Sequence, residues 1–285
     1  MVKYYLPGLF EFFELYTVFV DMFQKENYKF RDCEIGAIFG SPNRIIWNGG
    51  RVKNAPPVDL DMVKKWSDEK NISCALTFTN CLINEEHLNN IYCNDVARLF
   101  ESERNAIIIH SPILEDYLRN NYSKYNFVSS TTKCINQVDR LMQEFEKDYD
   151  RVVLDYNFNK DLKMLKDLPE EYRQRSELLI NAVCYPYCPQ RPQHYYLISQ
   201  SALGIERNEK PFECNAMHRQ FWQVLKNPNT INVEEIYEVY EPLGFQHFKI
   251  EGRTASVKDL IEILVYYMVK PEYQMEIRQR LNLIF

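Results

Sequence analysis

The chain has 285 residues and a formal net charge of −6, from 40 Asp and Glu against 34 Lys and Arg, with 46% apolar, 26% charged and 14% aromatic residues. That length suits one α/β barrel, for which about 250 residues is typical, and the acidic balance excludes a global positive field able to draw in a phosphate backbone. The apolar start MVKYYLPGLFEFFELYTVFVDMF is broken by Pro7, Glu11, Glu14 and Asp21, which suit neither a signal-peptide core nor a membrane span, so a cytoplasmic chain without a span is expected.

Short apolar runs alternate with amphipathic stretches of helix length, the pattern of repeated βα units on a parallel sheet. KYYL, residues 3–6, is stopped by Pro7-Gly8 and precedes a helical segment to about Phe23. EIGAIFG (34–40) and, after the helical VDLDMVKKWSDEK, SCALTF (73–78) are the second and third runs, with a helix from about Glu85 to Glu103 behind them. AIIIH (106–110) runs into PILEDYLRNNY, FVSS (127–130) leads to a helix around Gln137–Glu146, and RVVLD (151–155) leads to one near Asp161. ELLIN (177–181) and HFKIE (247–251), the latter backed by SVKDLIEILVYYMV, complete eight. Continuous rather than alternating runs are expected of parallel strands buried on both faces. The predicted fold is therefore a single (β/α)8 TIM-type barrel over residues 1–285, with a long insertion, about 182–246, between strands seven and eight.

Active sites of such barrels lie at the carboxyl ends of the strands, and the residues just past these runs are strongly polar. Ser111 and Asn159 suit helix capping. In SSTTKC, residues 129–134, four hydroxyls precede Lys133, enough donors for an oxyanion or carboxylate unless the loop is only a solvated turn. His110, Asp155 and Glu251 are the candidate acid–base residues, against a hydrogen-bonded core histidine and an N-cap or salt-bridged aspartate. Thr131, Lys133, Asn181 and Arg253 are the candidate substrate-binding residues.

Eight cysteines in a reducing compartment point to buried thiols, metal ligands or redox chemistry before disulfides. NAVCYPYCPQRPQHYY, residues 181–196, opens the insertion, and its tight turn can aim Cys184 and Cys188 into one space. Tetrahedral zinc, the alternative metal, usually takes two such pairs, and here Cys214 stands alone 26 residues further on. Three or four irregularly spaced thiolates suit an iron–sulfur cluster; separate burial of each cysteine is the other reading. A fourth ligand at the same mouth would be Cys134 or Cys81, or the iron would stay open. Cys33 before a strand, Cys74 within one and Cys93 within a helix do not reach it.

The sequence resembles the collagenase-like peptidase family, peptidase family 32 of unknown type. The resemblance rests on FKIEGR, residues 248–253, followed at once by a helix, on EIGAIFG with its aromatic-Gly end, and on a cysteine-containing loop after the seventh strand. It implies a TIM-type barrel carrying a [4Fe–4S] cluster held by cysteines near the mouth, Cys184 and Cys188 first and Cys214 next, with Glu251 and Arg253 lining the cavity; by position Cys134 is the favoured fourth ligand. Some members of that family support oxygen-independent hydroxylation of RNA bases or of a ubiquinone precursor. The expected function is accordingly an iron–sulfur enzyme, or a subunit working with a protein partner, on a small or nucleotide-like polar substrate, free or RNA-derived. The departures are an unreproduced cysteine spacing and the lack of the C-terminal domain of longer members. One alternative is a cysteine- or metal-dependent peptidase, for which His194 and His218 are the histidines near the thiols. The other is a non-catalytic partner-binding barrel, with LIEILVYYMV as a candidate sticky face.

Overall fold

The computed structural model of the chain describes residues 1–52, 56–205, 214, 216 and 219–285. Among them, eight parallel strands close into a barrel in sequence order: β1 (Val2–Pro7), β2 (Cys33–Gly40), β3 (Cys74–Phe78), β4 (Ala106–Ile109), β5 (Asn126–Ser129), β6 (Arg151–Val153), β7 (Ser176–Leu179) and β8 (His247–Lys249). The last pairing, Tyr4 with Phe248 and Tyr5 with Lys249, closes the ring. Each predicted run is one of these strands, so the (β/α)8 barrel read from the sequence is the observed fold.

Alternation along each strand sorts the side chains into two layers. Outward, Val2, Tyr4, Leu6, Ile38, Leu76, Ile107, Leu178 and Phe248 are buried under the surrounding helices in one continuous core. Inward, Tyr5, Ala37, Phe39, Ala75, Ala106, Ile108, Val128 and Val153 form a separate cluster inside the barrel. The alanines of β2, β3 and β4 leave room for longer polar residues from the opposite wall. Glu177, buried on β7, accepts from Lys249 Nζ at 2.7 Å and from Arg151 Nε at 3.0 Å, and the Arg151 guanidinium lies 4.5 Å from the centre of the Tyr5 ring. The interior therefore carries an ion network among apolar walls.

Helices α1 (Phe13–Lys25), α2 (Leu60–Glu69), α3 (Glu85–Leu88), α4 (Ile91–Leu99), α5 (Pro112–Asn121), α6 (Val138–Phe145), α7 (Leu162–Asp167) and α8 (Glu170–Arg175) wrap the first six units. Their starts follow the sequence: Asp59 and Ser111 accept from backbone N–H groups of the first turns of α2 and α5, as side-chain caps do. Asn159 is not a cap. It is fully buried, and its Nδ2 donates to the carbonyls of Leu179 and Asn229, both at 2.8 Å, which fastens β7 to the segment that follows it.

That segment, between β7 and β8, divides in two. Its first part carries α9 (Arg191–Ala202) and α10 (Phe221–Val224); its last, α11 (Val233–Glu235) running into a π-helical turn at Ile236–Tyr240, buries Val233, Ile236 and Tyr240 in the outer core where a barrel helix belongs. After β8 come α12 (Val257–Met268), capped by Ser256, and α13 (Gln274–Asn282). LIEILVYYMV does not form a sticky face: Leu260, Ile261, Ile263, Leu264, Val265, Tyr267 and Met268 are all buried, because α12 lies against the barrel. Among the described residues no helix is long and apolar enough to cross a membrane.

Candidate active site at the barrel mouth

A cavity of about 90 Å³ lies at the carboxyl end of the barrel. Phe39, Ile108, Leu179 and Lys249 line its inner part, Arg51, Glu251 and Arg253 its rim, and Tyr156 and Tyr195 its remaining wall. Glu251 follows β8 and is held on two sides, its Oε2 accepting from the Val183 backbone at 2.9 Å and its Oε1 standing 3.4 Å from Arg51. Asn181, the matching residue past β7, spends both ends of its amide on the Glu251 backbone, donating to its carbonyl at 2.8 Å and accepting from its N–H at 2.7 Å. Asn181 thus extends the β7–β8 ladder with a side chain and positions Glu251.

Arg253 crosses the mouth. Its Nε donates to Glu11 Oε1 at 3.0 Å, and its Nη1 donates to Thr77 at 2.9 Å, tying the loop after β8 to the loop after β1 and to the end of β3. Its Nη2, buried, has no protein partner among the described residues. It shares this with other buried donors such as Arg191 Nε and Arg104 Nε. Asp155 caps the short turn Tyr156–Phe158 and pairs with Arg191 in an ion pair whose side chains are 1% and 4% exposed. Arg191 also donates to Thr131 Oγ1 at 2.7 Å and lies 4.4 Å from the centre of the Tyr156 ring. Both dull readings of Asp155, cap and salt bridge, are present together. Helix α9 is docked over the mouth by Arg191 and by Ser199, whose carbonyl accepts from Asn80 Nδ2 at 3.2 Å.

His110 and Lys133 go elsewhere. The 3-10 turn Thr131–Lys133 carries Lys133 away from the mouth cavity, and its Nζ donates to Glu144 at 2.6 Å and to Tyr149 at 2.9 Å. His110 accompanies it in a separate outer pocket, where its Nδ1 lies 2.9 Å from Thr132 Oγ1. Of SSTTKC, Ser130, Thr131 and Thr132 remain on the central cavity. Burial first, then the Lys133 charge, pushes His110 down to about 4, and burial with Arg151 does the same to His247. Both are therefore neutral in the fold. The stability they contribute is intact above their ordinary value of 6.5 and drains as pH falls from there through about 4, at about 1.4 kcal/mol per pH unit for each group. Urea unfolding across that window is expected to show this acid slope, and His247→Gln should flatten it; an unchanged slope would remove His247 from the account.

Cys184 is buried against Tyr156, Leu179 and Ala182, with Cys188 packed on the same cluster. Tyr187 takes a left-handed conformation, φ 52°, and its N–H donates to Asn157 Oδ1 at 2.9 Å. That turn folds Cys188 back, with Asn227 Nδ2 holding the Cys184 carbonyl at 2.9 Å. The Cys188 thiol is raised by burial and then by Cys184 and Cys214 nearby; Cys134 is raised by burial, with Arg191 opposing and Cys184 and Cys81 reinforcing. The predicted cysteines therefore share one neighbourhood. Among the described residues no three His, Cys, Asp or Glu side chains already stand as a metal-binding group. Cys33, Cys74 and Cys93 are raised by burial to about 12, 11 and 11, as inert packing thiols are. His194 lines the cleft between the Pro42–Val52 loop and α9, its ring 6.4 Å from that of Tyr195; His218 lies outside the described residues.

Arg51, Arg191 and Lys249 are absent from the sequence-based candidates. Arg51 owes its place to Gly49, where an added Cβ would meet the Thr79 carbonyl oxygen at 2.5 Å and the Asn80 Cα at 2.7 Å. Both are backbone atoms and cannot swing aside. Gly49→Ala is expected to cost about 1–3 kcal/mol through overpacking, read as a lower urea midpoint; an unchanged midpoint would mean the loop shifts freely.

The comparisons with known proteins agree with this architecture. No family model matches the chain. It is 22% identical over 272 residues to the uncharacterized protease MJ1657 of Methanocaldococcus jannaschii, covering 92% of this chain and 80% of that protein. Its fold is similar to that of the U32 peptidase Mk0906, with a TM-score of 0.55 at 15% identity, over 88% of this chain and 93% of the other. These likenesses, to a protein named as a protease and to a U32 peptidase structure, agree with the barrel, on which FKIEGR and EIGAIFG stand at the predicted strands.

Proposed function

We propose that the chain is an iron–sulfur enzyme, or the iron–sulfur subunit of one, that takes a small anionic polar substrate, free or RNA-derived, at the barrel mouth. The observation that supports the reading is that Cys188 lies near Cys184 and Cys214, and Cys134 near Cys184 and Cys81, behind the Tyr156–Leu179 wall of a cavity on which Arg51 and Arg253 stand. Cys184 and Cys188 fit half of a cluster site; Cys214 and Cys134 are the thiols that would complete a [4Fe–4S] set. When bound, such a cluster supplies one-electron chemistry or an open iron for a substrate oxygen, which is what oxygen-independent hydroxylation requires. The chain's own residues bind and orient: Arg51 and Arg253 place positive charge on the cavity, Glu251 holds a carboxylate at the rim, and α9 with Tyr195 shields the cavity from water.

The peptidase reading is supported by the names of the two similar proteins. One purification separates the alternatives. Protein isolated without oxygen is expected to be coloured, to contain iron and acid-labile sulfide, and to lose both in a Cys184→Ser, Cys188→Ser variant. Colourless protein with stoichiometric zinc and no sulfide would overturn the cluster in favour of zinc, and casein cleavage abolished by the same variant would favour a thiol peptidase.

A further inference from the structure

The mouth cavity does not end at its rim. Gly50, Arg51 and Thr254 line it and also line the cleft between the Pro42–Val52 loop and α9, so the two spaces meet at these residues. The chemistry of that cleft differs from that of the other cavities. In a chain of net charge −6, four other cavities each carry a carboxylate: Glu251 at the mouth, Glu115 in the His110 pocket, Asp259 beside α12 and Glu34 at the opposite end of the barrel. The cleft is lined by Arg44 and Arg51 and, among the described residues, by no carboxylate. Arg51 has Glu251 at 3.4 Å, on the mouth and not on the cleft, whereas Arg44 is exposed and makes no ion pair among the described residues. The hydroxyls of Ser201 and Thr254 add neutral donors along the same walls.

The backbone supplies an independent sign. Four residues other than glycine take a positive φ: Arg44 at 65°, Asn71, Cys134 and Tyr187. Asparagine tolerates that conformation, but in the other three it is costly, and such strain gathers at functional sites. Cys134 and Tyr187 shape the cysteine neighbourhood; Arg44 shapes the cleft. We propose that the cleft is the phosphate subsite of the mouth, so that the substrate is a phosphomonoester whose reacting end lies in the barrel while Arg44 and Arg51 hold its phosphate outside. Two guanidinium groups match the charge of a phosphate dianion, and each can meet its oxygens with two parallel N–H donors. The inference rests on the mouth being a substrate site, and it does not rest on the cluster.

Calorimetric titration of the full chain with inorganic phosphate, ribose 5-phosphate and ribose tests this without reference to iron, so its failure is distinct from failure of the iron–sulfur reading, which iron and sulfide content decides. Both phosphates are expected to bind and ribose not to. Ribose 5-phosphate should bind more tightly than inorganic phosphate, because the sugar continues from the cleft toward the mouth. Arg44→Gln is expected to loosen both by on the order of tenfold, the loss of one charge-assisted contact, with an unchanged urea midpoint because the side chain is exposed. Arg44→Lys, which keeps the charge and loses the fork, should fall between. Absence of phosphate binding, or an affinity unchanged in Arg44→Gln, would overturn the subsite. Ribose 5-phosphate binding no more tightly than inorganic phosphate would mark a site for free anions and overturn its link to the mouth.

Discussion

Glu177→Leu is expected to lower the unfolding free energy by about 3–5 kcal/mol, because removing one partner from a buried ion network strands the others. Here it strands two: Lys249 at 2.7 Å and Arg151 at 3.0 Å both lose their shared carboxylate inside the barrel. Arg151 keeps Asp150 as a partner, whereas Lys249 has no second carboxylate among the described residues, so the variant should be partly rescued by Lys249→Met and much less by Arg151→Leu. The pH dependence has a definite sign. Burial opposes the charge on Glu177, but Lys249 and Arg151 override it and hold the carboxyl below its ordinary value of 4.5. Its contribution is therefore complete above 4.5 and is lost as pH falls through the lower folded value. Urea unfolding at pH 7 and across pH 5 to 3 checks both points. A loss under about 1 kcal/mol, the scale of an exposed pair, would mean water reaches the network.

The strands were legible because burial on both faces leaves an uninterrupted apolar run, and AIII, LTF and VVL have no competing reading at helical period. Residues placed on the mouth by counting just past a strand end fared according to the local turn. Glu251 and Arg253 are there, since the chain leaves β8 still extended, whereas Asn181 lines a neighbouring pocket and holds the Glu251 backbone, and Asp155 is taken up as a cap and as the partner of Arg191. Lys133 is not, because the 3-10 turn after Ser130 rotates it outward to Glu144. His110 lines the same outer pocket as Lys133. Arg51 and Arg191 were illegible for another reason: Arg51 lies in the loop before α2 and reaches the rim by tertiary docking, and Arg191 opens α9 and finds Asp155 only when that helix docks. Lys249 could have been found. In HFKIE, period 2 puts His247, Lys249 and Glu251 on one face, and Phe248 in the outer core fixes that face as the inner one.

Arg191→Leu is the second large effect, again about 3–5 kcal/mol, and it reaches the cysteines as well as stability. Asp155 is 1% exposed on its side chain and would be left as an uncompensated buried charge; Thr131 would lose its donor, and Tyr156 and Tyr195 the cation beside them. Adding Asp155→Asn removes the stranded charge while an amide oxygen can still cap the turn at Asn157, so the double variant should recover most of the lost stability. That recovery separates an electrostatic cause from lost packing, which Asp155→Asn cannot mend. Position is the second consequence. Arg191 is the first residue of α9 and follows Cys188 by three, its N–H accepted by the Cys188 carbonyl at 3.3 Å. The ion pair to β6 therefore fixes where the cysteine turn sits over the mouth. On the proposed function, the double variant should fold yet hold less iron than the wild-type chain, since charge neutrality is restored but the tether is not. Full iron content in a well-folded double variant would show that the cysteine turn is anchored by Asn227 and Asn157 alone.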